Sequence, residues 1–469
     1  MSLPTPFSGV PGCLFPSLPP TANALQLALQ FQLEQSQWWP TERLRTEQLR
    51  QLGLIVRHAV ATSPFYRRHY AGRDGAATTT LTEEDWARLP ITTRSQLQEA
   101  GDSWPSTQPP KEHGPVSFST TSGSTGRAVR FGRTNATTAL WQAFAMRDHL
   151  WQKRDFGGKL SAIRWLPRGE AEAPAGRAAP NWGPPIAGLF PGGPFSILNV
   201  VATLPEQLAW LRKEKPDYLA SFPSNLKALA EYALRQGERL PPIRSLRTIG
   251  ETVSPETRRF LTEAWGAPLA DIYTCEEAGY LALQCPGTDH YHVQSENVRV
   301  EIVDETGRPC PPGRSGRVII SSLNNFATPL LRYEIGDYAE FGEPCACGRG
   351  LPVLRRILGR RRNRLHLPTG ESVFPYLGEH GQILRMTGVK VREFQCIQHD
   401  LRRVEVKLVA DRAFTPEEER KVAAKMRENL GHPFEVDYTF HQAIERGPRG
   451  KFEEFISLVE PHPASEDAP

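Results

Sequence analysis

Between Ala22 and Tyr70 apolar residues recur at helical spacing. They are Leu25, Leu29 and Leu33, then Leu49, Leu52, Leu54 and Val56, set among Gln, Arg and Glu. Pro40 cannot continue a helix, so the pattern predicts two helices rather than one. From Gly114 to Gly359 the texture alternates. Short β-branched or apolar runs such as Val298–Val303 and Val318–Ile320 sit between helical stretches such as Leu204–Lys213 and Ser224–Gln236, which predicts an α/β body. The Gly-, Pro- and Ala-rich stretch Pro167–Pro194 is expected to be a long surface loop. Past an arginine cluster (Arg355, Arg356, Arg360, Arg361, Arg362 and Arg364) the texture changes again. Strands are expected over Val389–Gln398, Arg403–Val409 and Glu435–Phe440, with an amphipathic helix over Pro416–Leu430. Together they form a compact α+β unit. The polar tail from Pro461 is expected to fray.

At 469 residues the chain exceeds one ordinary core. The change of texture divides it into a large domain, residues 1–361, and a small C-terminal domain, residues 362–469. A net charge of +4 is nearly neutral for this length and gives no footprint for nucleic acid; the arginine cluster, lying at the expected hinge, reads as a solvated or phosphate-facing surface. No run of ~18 apolar residues is present, so no membrane span is expected. Met1–Pro20 lacks a basic segment followed by an apolar run, so no secretory signal is expected and a cytoplasmic location is. Seven unevenly spaced cysteines do not suit a disulfide framework.

Metal ligation is the better use for some of them. Cys285-x6-His292 and Cys345-Ala-Cys347 offer three thiolates and an imidazole, a set that suits tetrahedral structural Zn²⁺. His290 rivals His292 as the fourth ligand.

Four further segments carry chemistry. Thr121, Ser122, Gly123, Ser124, Thr125, Gly126 and Arg127, preceded by Thr120, form a hydroxyl-rich loop whose glycines let backbone approach an anion. No Walker pattern can be laid over it. In Asp271-Ile-Tyr273-Thr-Cys-Glu276-Glu277 an aromatic ring able to stack on a purine precedes two carboxylates able to hold Mg²⁺. In Pro329-Leu-Leu-Arg332-Tyr333-Glu-Ile-Gly336-Asp337 an Asp after a Gly turn can accept both hydroxyls of a ribose. Arg449-Gly450-Lys451-Phe452 places a mobile cation in a polar loop.

These segments, in this order and at these separations, resemble the motif set of the adenylate-forming superfamily, in particular its phenylacetate–CoA ligase branch. His58–Arg67, Leu89-Pro-Ile-Thr-Thr-Arg94 and Gly250-Glu251-Thr252 extend the resemblance over nearly the whole chain. It implies ATP-dependent activation of a small-molecule carboxylic acid to acyl-AMP, then transfer to coenzyme A. It further implies that Thr121–Gly126 hold the β- and γ-phosphates of ATP, that Gly250, Glu251 and Thr252 flank adenine, and that Tyr273 lies against the base. Glu277 would bind Mg²⁺, Asp337 the ribose and Arg360 the nucleotide near the hinge, and Lys451 would bridge the substrate carboxylate and the α-phosphate. An acyl pocket would lie near Phe222–Asn225 and Gly250, with Phe222 and Trp165 suiting an aromatic acid.

Three positions depart from the pattern. Thr274 and Glu276 replace the usual Gly and Thr, Asn363 stands where a hinge Asp is usual, and Leu365–Gly370 is one residue longer. The alternatives are therefore an adenylating enzyme that passes its acyl group to a carrier protein or an amine, and a catalytically impaired nucleotide-binding protein.

Overall fold

A computed structural model describes residues 5–13, 15–72, 81–120, 129–377, 386–447 and 450–459 of the chain. The helices Thr21–Ser36 and Thr41–Thr62 are separated at Pro40, as the pattern requires. A further break was not expected. Ser63 caps a short helix, Pro64–His69, by accepting from the Tyr66 N–H, and Pro64 fits the first helical position, where no N–H is needed.

A 12-stranded sheet organises the large body. Five strands, Leu160–Arg164, Phe195–Asn199, Tyr218–Ser221, Ser245–Ile249 and Leu269–Cys275, run parallel, with helices such as Leu204–Glu214, Pro223–Arg235 and Pro255–Trp265 as crossovers. Beyond Leu269–Cys275 the sheet turns antiparallel through Gly279–Gln284, Tyr291–Val293, Val353–Arg360, Tyr333–Phe341, Ser315–Ser322 and Val298–Val303. Both faces of the parallel strands are covered, and Tyr218–Ser221 is buried throughout.

The stretch Pro167–Pro194 corrects its expectation. It is a surface segment only in its first half, where Arg177–Ala179 forms the edge strand beside Phe195–Asn199. Trp182, Ile186, Leu189 and Phe190 are buried in one cluster with Met146, Phe156 and Tyr218. Without a period, its apolar residues gave no signal among the prolines and glycines.

After Arg360 the chain makes one 3₁₀ turn, Arg361–Asn363, and enters a second core. There the strands Glu435–Phe440, Arg403–Ala410, Val391–Gln398 and Phe455–Ser457 form a four-stranded sheet in that order. The helix Pro416–Leu430 is specified at both ends: Thr415 and Glu418 make a capping box, and Gly431 takes φ +68° past the last turn. Strand Phe455–Ser457, only three residues long, gave no sequence signal. It runs parallel to Val391–Gln398 and tethers the lysine loop four residues after Lys451. The tail from Pro461 lies outside the described residues.

Candidate active site

The C-terminal ends of the parallel strands and the turn of the antiparallel part converge on one cleft. Tyr273, near the end of its strand, is buried and donates its hydroxyl to Asp337 Oδ2 at 2.7 Å. Asp337 sits mid-strand just after Gly336, whose φ of +82° few other residues adopt without strain. Its second oxygen meets Arg360 Nε at 2.9 Å across the paired strands, in the register Asp337 to Arg360. Arg360 also donates to the Ile335 carbonyl at 3.2 Å. The Asp337 carboxylate holds the Arg360 guanidinium pKa above its usual range, although burial opposes this. Tyr273, Asp337 and Arg360 thus form one hydrogen-bonded wall built within a single sheet.

The acidic pair divides. Glu277 points inward; its side chain is 12% exposed and reaches Arg94 only at 3.7 Å. Burial pushes its carboxyl pKa up, against the pull of Arg360 and Arg94. Glu276 points outward, 49% exposed, and pairs with Arg133 at 3.3 Å, while its carbonyl accepts from the same guanidinium at 2.8 Å. Arg133 ends the hairpin Ser117–Thr120/Arg130–Arg133, so that contact draws the hairpin against the tyrosine segment. The predicted phosphate loop, Thr121–Arg127, connects the hairpin's two strands and lies outside the described residues.

The lysine loop closes over the opposite side. The Lys451 ammonium lies against Gly250, 3.6 Å from where a side chain there would begin; it is the Phe222 ring, at 3.3 Å, and the φ of +85° that favour glycine. A side chain on Gly450 would meet Val200 at 3.1 Å and Trp165 at 3.8 Å. Lys451 keeps solvent access yet is surrounded by protein, as expected for a group lining a cleft. Burial, and then Arg360, lower its pKa, while Glu251, Asp337 and Glu276 act to raise it. Thr252 faces the hinge, its hydroxyl 3.5 Å from where a Gly359 side chain would begin.

Glu251 links the lysine loop to the large body. Its carboxylate accepts from Phe452 N–H at 2.8 Å and from the Ser224 N–H and hydroxyl at 3.0 Å each. It therefore fastens the lysine loop to the start of helix Pro223–Arg235. Burial raises its pKa, and those hydrogen bonds work to lower it.

Asn363 is equally specific. Its Oδ1 accepts from the Arg360 N–H at 2.9 Å, and its Nδ2 donates to Glu453 at 2.8 Å and to the Phe455 carbonyl at 2.7 Å. An Asp here could not donate to Glu453 and would set two carboxylates together. The Asn and Glu453 are thus a matched pair, reinforced by the bond from Arg362 to Glu453. The other arginines of the cluster are largely spent on ion pairs: Arg355 and Arg356 on Glu340, and Arg364 on Glu305.

The comparisons with known proteins bear on this arrangement. Residues 184–328 match the family model described as AMP-binding enzyme, and residues 379–457 match the CapK C-terminal domain. The phenylacetate-coenzyme A ligase of Thermus thermophilus is 27% identical over 352 residues, 72% of this chain and 74% of the relative. That of Pseudomonas putida is 27% identical over 344 residues, 71% of this chain and 74% of the relative. The chain is thus similar to AMP-binding enzymes and to phenylacetate-coenzyme A ligases. In fold, a solved 2-hydroxyisobutyryl-CoA ligase in its postadenylation state superposes with a TM-score of 0.69 at 19% identity, covering 90% of this chain and 91% of that one. The same ligase in its thioesterification state, with 2-HIB-AMP and CoA, gives 0.59 at 19% identity over 90% and 91%. The fold therefore fits the former arrangement of the two bodies better.

The metal candidates meet as well. Cys285 ends one strand, His292 lies in the next, and Cys345 and Cys347 lie in the turn leading to Val353–Arg360, which pairs with the His292 strand. Their ligand atoms all lie within 4.8 Å of one another. Cys285 Sγ and Cys345 Sγ are 3.8 Å apart, and Cys347 Sγ is 3.3 Å from His292 Nε2. A tetrahedron with Zn–S of ~2.3 Å has an S–S edge of ~3.8 Å, so the donor set fits zinc. His292 Nδ1 bonds the Leu351 carbonyl at 3.1 Å, which turns Nε2 toward the thiols. His290 Nε2 lies 3.0 Å from Cys345 Sγ, outside the four-ligand cluster.

Arg94, Arg133 and Asn363 are the functional neighbours to which the sequence reading gave no site role. Arg94 had a signal, as the last residue of a segment that carried the family resemblance, and Asn363 had one as a departure at the hinge position; Arg133 had none. Among the described residues, no helix is long and apolar enough to cross a membrane.

Proposed function

We propose that this protein activates a carboxylic acid as its acyl-AMP, releasing pyrophosphate, and then transfers the acyl group to coenzyme A. The observation that carries the reading is the convergence of Tyr273, Asp337, Arg360 and Lys451, distant in sequence, on one cleft, with Lys451 docked at Gly250. Asp337 would accept the ribose hydroxyls in place of the Tyr273 hydroxyl, with Arg360 paired to its other oxygen. Lys451, a desolvated cation at the cleft mouth, is placed to hold the substrate carboxylate against the α-phosphate. In-line attack there develops negative charge that fixed cations stabilise without an acid–base pair.

Glu277 is the residue suited to Mg²⁺: beyond its own backbone N–H, its inward carboxylate has Arg94 as a loose partner at 3.7 Å, and a dication would neutralise charge on the phosphates. Cys285, His292, Cys345 and Cys347 would hold a structural Zn²⁺, with no open position for catalysis. We place the hinge at Arg361–Asn363, so that the small domain comprises residues 362–469. Reduced thiols in a zinc site suit the cytoplasm. The test is acid-dependent exchange of pyrophosphate into ATP, with thioester formation scored on adding coenzyme A. AMP release without thioester would point to a carrier protein or amine as acceptor, and absence of exchange with every acid would overturn the reading.

A further inference from the structure

The sheet face beneath helix Asn135–Trp151 carries a charge imbalance that none of the roles above uses. Across the parallel strands one in-register row reads Ile197, Ala162, Ala220, Arg247 and Ala270, so Arg247 interrupts an otherwise apolar surface. Arg164 lies two residues beyond Ala162 on its strand, hence on the same face and one step nearer the strand ends that form the cleft. The counter-charges nearby are already committed. Asp148 accepts from Arg247 at 2.8 Å and from Arg154 at 2.9 Å. Arg247 also donates to the Tyr280 hydroxyl at 3.1 Å, and Glu276 is held by Arg133. The second terminal nitrogen of Arg154 is buried and, among the described residues, has no acceptor. The Arg164 side chain has no ion pair or hydrogen bond among the described residues. Two guanidiniums thus share the Asp148 carboxylate, and a third stands beside Arg247 without one. His149, beside them, is kept neutral by burial and by Arg154.

Buried charge is normally paired, because removing an ion from water costs more than packing returns. Arg164 is the last residue of its strand and the exposed one, so its charge is solvated and open to an anion at the strand ends. Burial and then Arg247 lower its pKa, and Glu276 acts in the opposite sense on both Arg164 and Lys451. Trp165, the next residue, is the one that packs on Gly450 of the lysine loop. The strand of Arg164 lies two strand spacings, ~10 Å, from the strand leading to Gly250, on the side away from Asp337. The excess charge therefore faces the acyl side of the cleft, not the nucleotide side.

We propose that the acid activated here carries a second anionic group, a carboxylate at the far end of a short aliphatic or aromatic spacer, and that Arg164 receives it while Lys451 holds the reacting carboxylate. This rests on the adenylation reading above. The test is pyrophosphate exchange with matched pairs, hexanoate against adipate and phenylacetate against 4-carboxyphenylacetate, in wild type, Arg164→Leu and Arg164→Lys. In wild type the dicarboxylate of each pair should have kcat/KM about tenfold or more above its partner, the worth of one charge-assisted contact. Arg164→Leu should collapse that ratio towards one through KM for the acid, and Arg164→Lys should restore part of it. A wild-type preference for the monocarboxylates, or a ratio that Arg164→Leu leaves intact, would overturn the proposal while exchange itself upholds adenylation. Exchange with no acid at all would overturn both.

Discussion

The two sides of the cleft are held in different ways. On the nucleotide side, Tyr273, Asp337 and Arg360 come from strands of one sheet, and their mutual bonds of 2.7 and 2.9 Å need no movement to form. On the lysine side, the Lys451 loop is joined to the large body through a few contacts: Phe452 N–H to Glu251, Lys227 to Glu454, and the packing of Gly450 on Val200 and Trp165. One side is built within one sheet, and the other depends on contacts between the two cores, which we propose form on docking of the small domain. Adenylation should therefore depend on docking, whereas nucleotide binding should not.

Lys451→Ala is expected to show the largest effect. Removing the one mobile cation should cost about 100- to 1000-fold in acid-dependent pyrophosphate exchange, the scale of losing one fixed stabiliser of a charged transition state. KM for ATP should scarcely move; a matching rise in that KM would erase the distinction between the sides. Asp337→Asn should act on the other side, raising KM for ATP about tenfold through loss of a charged acceptor. Glu277→Gln should weaken Mg²⁺-dependent turnover more than Glu276→Gln, because only Glu277 faces inward; titrating Mg²⁺ against initial rate compares them. Asn363→Asp should give the smallest catalytic change, a few-fold slowing of exchange, because two carboxylates would then face each other at the hinge.

The proposed zinc ligands lie outside both sides, so the metal should separate stability from catalysis. Purified protein should carry close to one Zn²⁺ per chain by elemental analysis. Cys347→Ser should lose it and lower Tm by roughly 5 °C or more, since ligation free energy is folding free energy. Metal-free protein with unaltered melting would remove the site.

Much of this was legible in the chain because motifs at sheet turns are local. Tyr273, Asp337 and Gly250 could be read from a few residues each, and the cysteines from ligand type alone. The helices and strands of the small domain were legible because Thr415, Pro416 and Gly431 punctuate them. What escaped depends on partners far away in sequence. Glu251 reads as part of an adenine-side segment until Phe452, 201 residues later, is seen to donate to it. Asn363 reads as a defect until Glu453 is seen beside it. Trp182 and Phe190 were taken for loop residues because burial without a period leaves no pattern.

The claim that docking of the lysine loop governs adenylation is tested most directly by Glu251→Gln, measured in both half-reactions. Glu251 touches the backbone next to Lys451 and belongs to neither the nucleotide wall nor the hinge. Weakening a charged acceptor to a neutral one should slow pyrophosphate exchange about five- to tenfold. Thioester formation from supplied acyl-AMP and coenzyme A should be retained, and KM for ATP unchanged. Equal losses in the two half-reactions, or exchange at the wild-type rate, would contradict the account.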